Sequence, residues 1–258
     1  MKNYILLLFI LVKIPVYGQD LKLLENKLNQ LSQQRANWSN SQDEKSYDSL
    51  ARYNKELEEL ILNFTAKNPK TLSHQFDKTK VGLDIVTSGD GFFRIYTWNT
   101  LEGGTMQYFK NIYQYSVGGK VYSMMNPITE GDNGCRFFEI NDLTVAGKRY
   151  YLCSSISVGS SALYYYQVKV FSIENGKLNP AARLIKTKSG IKNTLGYEVD
   201  LSSSSNRDRK DGVEPMDYMK LMYNRANKTI LIPLINADGR VTTSKIKYQL
   251  KGQYFEKI

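Results

Sequence analysis

The sequence predicts a mainly β protein that begins with a pair of helices. Leucines recur every three or four residues between residues 20 and 66, whereas bulky and polar residues alternate from about residue 80 onward. The composition agrees with a mainly β fold. The chain contains 19 tyrosines and a single histidine, and aromatic side chains such as tyrosine pack well on pleated strands. We therefore expect a helical hairpin over 19–70 and an antiparallel β domain over 80–258.

The first 18 residues have the features of a secretory signal peptide. Lys2 precedes nine apolar residues at 4–12. Val16 and Gly18 occupy the positions before the cleavage site that signal peptidase recognises. The apolar run is too short to span a bilayer, which takes about 20 residues. Because no cysteine follows the run, no lipid anchor is expected. The sequence thus predicts a periplasmic or extracellular protein without a transmembrane segment.

The segment from 19 to 70 is expected to form two helices. The apolar positions that define one face of each are Leu21, Leu24, Leu28 and Leu31 in the first helix, and Tyr47, Leu50, Leu57, Ile61 and Phe64 in the second, with Asn54 interrupting the second face. Ser41–Glu44 fits a capping box, and Pro69 follows the second helix because proline cannot continue it. We expect a hairpin packed on itself or against the sheet; the alternative is dimerisation through residues 20–64.

Thirteen short segments after residue 80 have the alternation of strands. They are 81–87, 92–99, 105–116, 120–125, 136–145, 149–157, 162–173, 178–186, 192–201, 217–224, 228–235, 242–250 and 253–257. Turn dipeptides separate many of them: Asp90-Gly91, Gly103-Gly104, Gly118-Gly119, Ala146-Gly147, Asn175-Gly176, Asp238-Gly239 and Lys251-Gly252. This pattern predicts an antiparallel meander, and we favour a propeller-like arrangement narrowly over a β-sandwich.

Three details refine that prediction. Pro233 cannot donate to a ladder, so its strand is expected to lie at an edge or to contain a bulge. The polar segment 202–215 is expected to be a long flexible loop. In strand 242–250, Ile246 and Tyr248 share one face and lysines the other, which indicates one buried side.

The two cysteines, Cys135 and Cys153, could pair in an exported protein. If Ala146-Gly147 is a hairpin turn, Cys153 lies opposite Ile140, five residues from Cys135. That separation is roughly 17 Å along the strand, well beyond the ~7 Å between Cα atoms that a disulfide spans. Free, half-buried thiols are the expectation, and a bulge that brings the two cysteines together is the alternative.

Several chemistries have no support in the sequence. His74 is the one histidine and lies in a linker, so a histidine-dependent triad or a multi-histidine zinc site is not expected. Glu130–Gly134 is predicted to be a plain turn and not a calcium loop. Phosphate-cradling and dinucleotide motifs are lacking, and the basic residues are scattered despite a net charge of +10. We predict no cofactor, no metal and no nucleic-acid partner.

The strand at 92–99 provides the one candidate ligand surface. Its alternation puts Phe93 and Ile95 on one face and Arg94, Tyr96 and Trp98 on the other. Two rings and a guanidinium could bind a ligand, with Arg94 contacting a carboxylate or hydroxyl and the rings stacking. The alternative is that Trp98 belongs to the core of a sheet covered on both faces.

Two segments, 88–115 (SGDGFFRIYTWNTLEGGTMQYFKNIYQY) and 223–258 (YNRANKTILIPLINADGRVTTSKIKYQLKGQYFEKI), resemble parts of uncharacterised exported proteins of the Bacteroidota type. The resemblance extends over most of residues 80–258. It implies a signal-bearing, β-rich protein and carries no assigned activity, so it supplies no site residues.

These observations favour an exported, non-catalytic binding or interaction module whose ligand is a glycan, a peptide or an envelope protein. One alternative is an envelope hydrolase that uses paired carboxylates, which needs no histidine. Its candidate acids, which the sequence does not rank, are Glu102, Glu139, Glu198 and Asp200. A second alternative is a structural protein that assembles through the N-terminal leucines.

Overall fold

The computed structural model describes residues 17–127, 129–202, 206 and 219–258. The predicted signal peptide therefore falls almost entirely outside the described residues, as does most of the predicted loop at 202–215. The described chain is mainly β, with an N-terminal pair of helices and sheets built chiefly from antiparallel strands, as the sequence predicts.

The helical part contains two long and two short elements. They are α1 (Tyr17–Ser39), α2 (Ser46–Thr65), a 3-10 turn (Pro69–Leu72) and α3 (Lys78–Val81). The predicted capping box is wrong, because α2 begins after Lys45, which makes no side-chain cap; Ser41 instead accepts a hydrogen bond from the Asp43 amide. Tyr47 is exposed, whereas Asn54 belongs to the buried face of α2.

Fifteen strands are described, and most match a predicted segment. They are β1 (Asp84–Thr87), β2 (Phe93–Asn99), β3 (Phe109–Val117), β4 (Lys120–Met125), β5 (Arg136–Val145), β6 (Lys148–Val158), β7 (Leu163–Glu174), β8 (Lys177–Asn179), β9 (Ile185–Thr187), β10 (Gly190–Lys192), β11 (Thr194–Asp200), β12 (Met222–Asn224), β13 (Thr229–Ile235), β14 (Val241–Lys251) and β15 (Tyr254–Lys257).

The strands form three sheets. Sheet 1 has the order β1-β2-β3-β4, sheet 2 the order β11-β7-β6-β5 with β8 beside β7, and sheet 3 the order β10-β9-β15-β14-β13-β12. One pairing departs from the antiparallel prediction, since β9 and β15 are parallel. The predicted strand at 178–186 is divided after Asn179, because Pro180 cannot continue its hydrogen-bonded ladder.

Two predictions of register and one prediction of strand facing are confirmed. Cys153 pairs with Ile140 across the Ala146-Gly147 turn, and both turn residues have positive φ, as tight hairpins require. A register shift after Pro233 is the predicted bulge. Ile246 and Tyr248 of β14 lie together against the core.

The layers pack in series. The helices cover one face of sheet 1 through a core that combines leucines of α1 and α2 with Tyr96, Trp98 and Ile112. The other face of sheet 1 packs on sheet 2 through aromatic residues that include Phe93 and Phe171. Sheet 2 then packs on sheet 3. Face-to-face packing is common to blades and sandwiches, and the propeller-like arrangement stays a prediction.

The leucine stripe of α1 is used within the chain. Leu24 and Leu28 are buried in the core between the helices and sheet 1, whereas Leu23 on the opposite side of α1 is exposed. A dimer through residues 20–64 would therefore have to use the outer face of the hairpin and not the predicted stripe.

Candidate functional site

The predicted ligand surface on β2 lies beneath the helices. Arg94, Tyr96 and Trp98 do share a face, but only 3%, 1% and 1% of each is exposed. Tyr96 and Trp98 pack with leucines of α1 and α2. The alternative prediction, in which Trp98 belongs to the core of a sheet covered on both sides, therefore describes the position of these side chains.

Arg94 fastens the segment after α2 to the sheet. Its Nη1 donates to the Thr71 carbonyl oxygen and, over 2.9 Å, to the carbonyl oxygen of His74, while Nε donates to Thr87 Oγ1 over 2.6 Å. The guanidinium carbon also lies 5.7 Å from the ring centre of Phe76. All three acceptors belong to this chain, so the Arg94 guanidinium is a structural clamp in this conformation.

Tyr96 belongs to a second buried network under the helices. Its hydroxyl donates to Gln114 Oε1 over 2.9 Å, and the Gln114 amide donates to the Thr65 carbonyl oxygen at the end of α2. Burial raises the pKa of Tyr96 to about 12. The phenol therefore stays neutral and serves to join sheet 1 to α2.

The other residues considered from the sequence also have structural partners. His74 Nε2 lies 3.1 Å from Glu25 Oε1, which joins the linker to α1. Cys135 and Cys153 are both free, as the strand spacing predicts, but they are fully buried and not half-buried. Burial raises the pKa of both thiols. Asp132 accepts a hydrogen bond from the Gly134 amide, which makes that segment a plain turn.

An open cleft lies instead at one end of sheets 1 and 2. We call it the hairpin-end cleft; it has a volume of about 630 Å³. Its lining residues come from four turns, those before β2, between β3 and β4, between β5 and β6, and between β7 and β8: Phe92, Ser116, Val117, Gly118, Thr144, Gly147, Lys148, Arg149, Ile173, Glu174 and Asn175. The volume is within the range of small-molecule sites.

Phe92 is the exposed aromatic of the hairpin-end cleft. The turn that presents it is held by Asp90, which accepts hydrogen bonds from the Phe92 amide and from Ser88 Oγ. The Arg149 guanidinium lies 4.6 Å from the centre of the Phe92 ring. Because 40% of Phe92 remains exposed, part of its apolar surface is free for a ligand.

Two ion pairs lie at the same cleft. Arg149 Nε lies 3.2 Å from Asp90 Oδ2, and Lys148 Nζ lies 2.6 Å from Glu174 Oε1. Hydrogen bonds from Lys148, and then from Ser172 and Asn179, lower the pKa of Glu174 to about 2. With Asp90, which pairs with Arg149 but does not itself line the cleft, the two ion pairs combine two cations with two carboxylates and have no net charge.

Sequence reasoning missed this cleft because it searched strand faces. The signal was present in the turns: in a meander, alternate hairpin turns fall at the same end of a sheet, which groups Asp90-Gly91 with Gly118-Gly119 and Ala146-Gly147 with Asn175-Gly176. Phe92 is the first residue of the predicted strand 92–99 and directly follows the Asp90-Gly91 turn.

The described residues include no group of three or more histidine, cysteine, aspartate or glutamate side chains arranged to hold a metal ion. Within the same ranges, no helix combines the length and the apolar character that crossing a membrane requires. Comparison with protein-family models, curated proteins and solved structures found no match.

Proposed function

We propose that this protein is an exported, non-catalytic module that binds a neutral carbohydrate in the hairpin-end cleft. The observation that carries the proposal is the exposed Phe92 ring, which shares the hairpin-end cleft with two ion pairs. An aromatic ring provides apolar surface for the C–H face of a sugar, and the flanking charged groups provide strong hydrogen-bond donors and acceptors for its hydroxyls.

The electrostatics favour a neutral ligand. Lys148 and Arg149 are balanced by Glu174 and Asp90, so neither an acidic nor a basic ligand gains from the summed charge. A sugar hydroxyl, in contrast, can donate to Glu174 and accept from Lys148 without separating the pair. This distinguishes a neutral glycan from a charged peptide as the preferred ligand.

The state of Glu174 favours binding over hydrolysis. A glycosidase needs one carboxyl group that is protonated near neutral pH to act as the general acid. With its pKa lowered to about 2, Glu174 is ionised there and suits hydrogen-bond acceptance. A paired-carboxylate hydrolase would need another acid in the cleft.

The test is a thermal-shift screen of the purified protein against neutral oligosaccharides of glucose, mannose, xylose and N-acetylglucosamine. A ligand that binds the native state raises the melting temperature by mass action. Phe92→Ala should remove the shift, whereas Tyr165→Ala, which removes a similarly exposed aromatic from sheet 2, should retain it. No shift with any glycan, or equal shifts in the two variants, would refute the proposal.

Export is tested separately. If residues 1–18 are a signal peptide, mass spectrometry of the protein recovered from outside the cytoplasm should show Gln19 as its first residue. An intact N-terminus on protein recovered from the cytoplasm would contradict export without bearing on the cleft.

A further inference from the structure

The net charge of the chain is concentrated in sheet 3. The segments 183–192 and 219–258, which contain β9, β10 and β12 to β15, include 12 lysines and arginines but two acidic residues, Asp238 and Glu256. The rest of the chain has 23 residues of each sign, so the whole excess of +10 belongs to these two segments. They are not contiguous in the sequence and meet because β9 pairs with β15. The fold thus gathers basic residues that are scattered along the chain.

The register of sheet 3 shows which of these charges share a surface. Ile246, Tyr248 and Leu250 of β14 pack in the core between sheets 2 and 3. Lys247 and Lys251 alternate with them and therefore lie on the side of sheet 3 that is turned away from sheet 2, which we call the outer face. Both lysines are exposed, and neither forms an ion pair within the described part of the chain.

Two further cations lie on the outer face. Lys245 of β14 is half-buried there. Lys186 of β9 is exposed, and its Nζ lies 2.9 Å from Oε1 of Glu256, its register partner in β15. Glu256 is the one acidic residue among the described strand residues of the outer face. Four lysines against one carboxylate leave this face with an excess of three positive charges.

The spacing of the exposed lysines makes the outer face a broad cationic surface. Lys247 and Lys251 are four residues apart in β14, or roughly 13 Å. Lys186 lies two strands away, or roughly 10 Å, because β15 separates β9 from β14. The three cations are thus spread over several strands and can contact several anionic groups at once.

Exposed aliphatic side chains lie on the same face. Ile191 of β10 is the register partner of Lys186, and Met222 of β12 is the register partner of Leu231, which lies opposite Lys247. Ile191 and Met222 are 36% and 43% exposed. Because β10 and β12 are the two edge strands of sheet 3, the cations lie between two exposed apolar side chains.

We propose that the outer face of sheet 3 docks the protein on an anionic phospholipid surface. The lysines are attracted to the anionic headgroups, and Ile191 and Met222 contact the apolar region beneath them. These aliphatic side chains favour a lipid surface over a soluble acidic polymer, since a solvated polymer offers them no apolar partner. The outer face shares no residue with the hairpin-end cleft, so the proposal does not depend on carbohydrate binding.

The test is co-sedimentation of the purified protein with vesicles. Vesicles of phosphatidylglycerol and phosphatidylcholine in equal amounts should bind the protein, whereas vesicles of phosphatidylcholine alone should not. Binding should weaken as salt is added, because salt screens the attraction between exposed charges. Polygalacturonate, added at the same concentration of negative charge as the lipid, serves as a soluble acidic polymer and should not release the protein from the vesicles.

Three variants identify the surface. A lysine next to an anionic membrane strengthens binding about fivefold, so Lys247→Gln combined with Lys251→Gln should weaken it about 25-fold. Lys22→Gln combined with Lys120→Gln makes the same change in net charge at exposed positions of α1 and β4, and it should retain full affinity. Ile191→Ser should weaken binding severalfold by removing an apolar contact. All five positions are exposed, so the fold should be unchanged in each variant.

The proposal fails if the protein does not sediment with phosphatidylglycerol vesicles, or if it binds phosphatidylcholine equally well. Equal weakening in the two double variants would show that net charge acts without a specific face. Release by polygalacturonate would assign the outer face to an acidic polysaccharide, and full affinity in Ile191→Ser would remove the argument for a lipid. None of these outcomes depends on whether the hairpin-end cleft binds a glycan.

Discussion

Replacement of Arg94 by methionine tests whether this residue is a structural clamp or a ligand-binding group. Methionine keeps the aliphatic stem that packs near Phe76 and Tyr96 but removes all three donated hydrogen bonds. If Arg94 serves chiefly as a clamp, the substitution should lower the free energy of unfolding. If Arg94 serves a ligand, stability should be almost unchanged.

The magnitude follows from the acceptors that would lose their donor. A hydrogen bond from a charged group contributes about 1.5–3 kcal/mol. The Tyr96 hydroxyl, which donates to Gln114, lies 3.3 Å from the Thr71 carbonyl oxygen and can turn its proton to that oxygen in the variant. Because His74 is half-buried, both carbonyl groups that lose Arg94 can be partly satisfied. We therefore expect a loss of about 3 kcal/mol, well below three full contributions. For a chain of this length that corresponds to a decrease in melting temperature of roughly 6–12 °C.

The assay is urea unfolding followed by far-ultraviolet circular dichroism, with the midpoint and slope fitted for each protein. Lys120→Met, which makes the same exchange of a cation for a thioether at an exposed position of β4, should leave the midpoint unchanged. Hydrogen exchange should show that amides of residues 69–77 lose protection in Arg94→Met. A variant within 1 kcal/mol of the natural protein would refute the assignment of Arg94 as a clamp.

Three further predictions concern individual groups. Gly82→Ala should destabilise the protein by roughly 2 kcal/mol in the same urea assay, because φ is +64° there and a Cβ would lie 1.9 Å from Ser32 Oγ; Gly104→Ala, where a Cβ meets nothing within 4 Å, should have almost no effect. The lowered pKa of Glu174 means that its charge stabilises the fold above an unfolded pKa of about 4.3 and ceases to do so as pH falls toward about 2. The natural protein should be more stable than Glu174→Gln by at most about 1 kcal/mol, because the ion pair is exposed. This difference in the free energy of unfolding should decrease to zero over that pH range, and a difference that stays constant would contradict the argument. Cys135 and Cys153 should react with a thiol reagent only after unfolding, since both are buried and their pKa values are raised. No prior reduction should be needed. Labelling of the native protein would show that the thiols are exposed, and a lack of labelling after unfolding would show that they are paired.

The regular alternation of side chains made most of the β architecture predictable. In β2 the sequence correctly divides Phe93 and Ile95 from Arg94, Tyr96 and Trp98, because successive side chains of a strand point to opposite sides. The alternation does not state what covers each side. Rings and a guanidinium are as suited to a covered face as to an open one, so the identity of the cover could not be read from β2 alone.

Two other departures have local physical reasons. Asn54 interrupts the apolar stripe of α2 in the sequence, yet it is buried because it accepts the hydrogen bond of Arg35 and donates to the Thr100 carbonyl oxygen. That partnership joins residues 19 positions apart, so no local pattern reveals it. The parallel pairing of β9 with β15 likewise joins segments about 70 residues apart, whereas turn dipeptides predict only adjacent antiparallel pairs.

Packing in series explains why the candidate functional site lies at the ends of strands. Sheet 1 is covered by helices on one side and by sheet 2 on the other, and sheet 2 is covered in turn by sheet 3. Side chains on the central strands of these two sheets are consequently used for packing, whatever their chemistry. Solvent reaches those strands mainly where they end, which is where the hairpin-end cleft lies. In a chain with this architecture, residues next to turns are therefore better candidates for ligand contact than aromatic rows in the middle of strands. Phe92, immediately before β2, is the residue on which that argument is most directly tested.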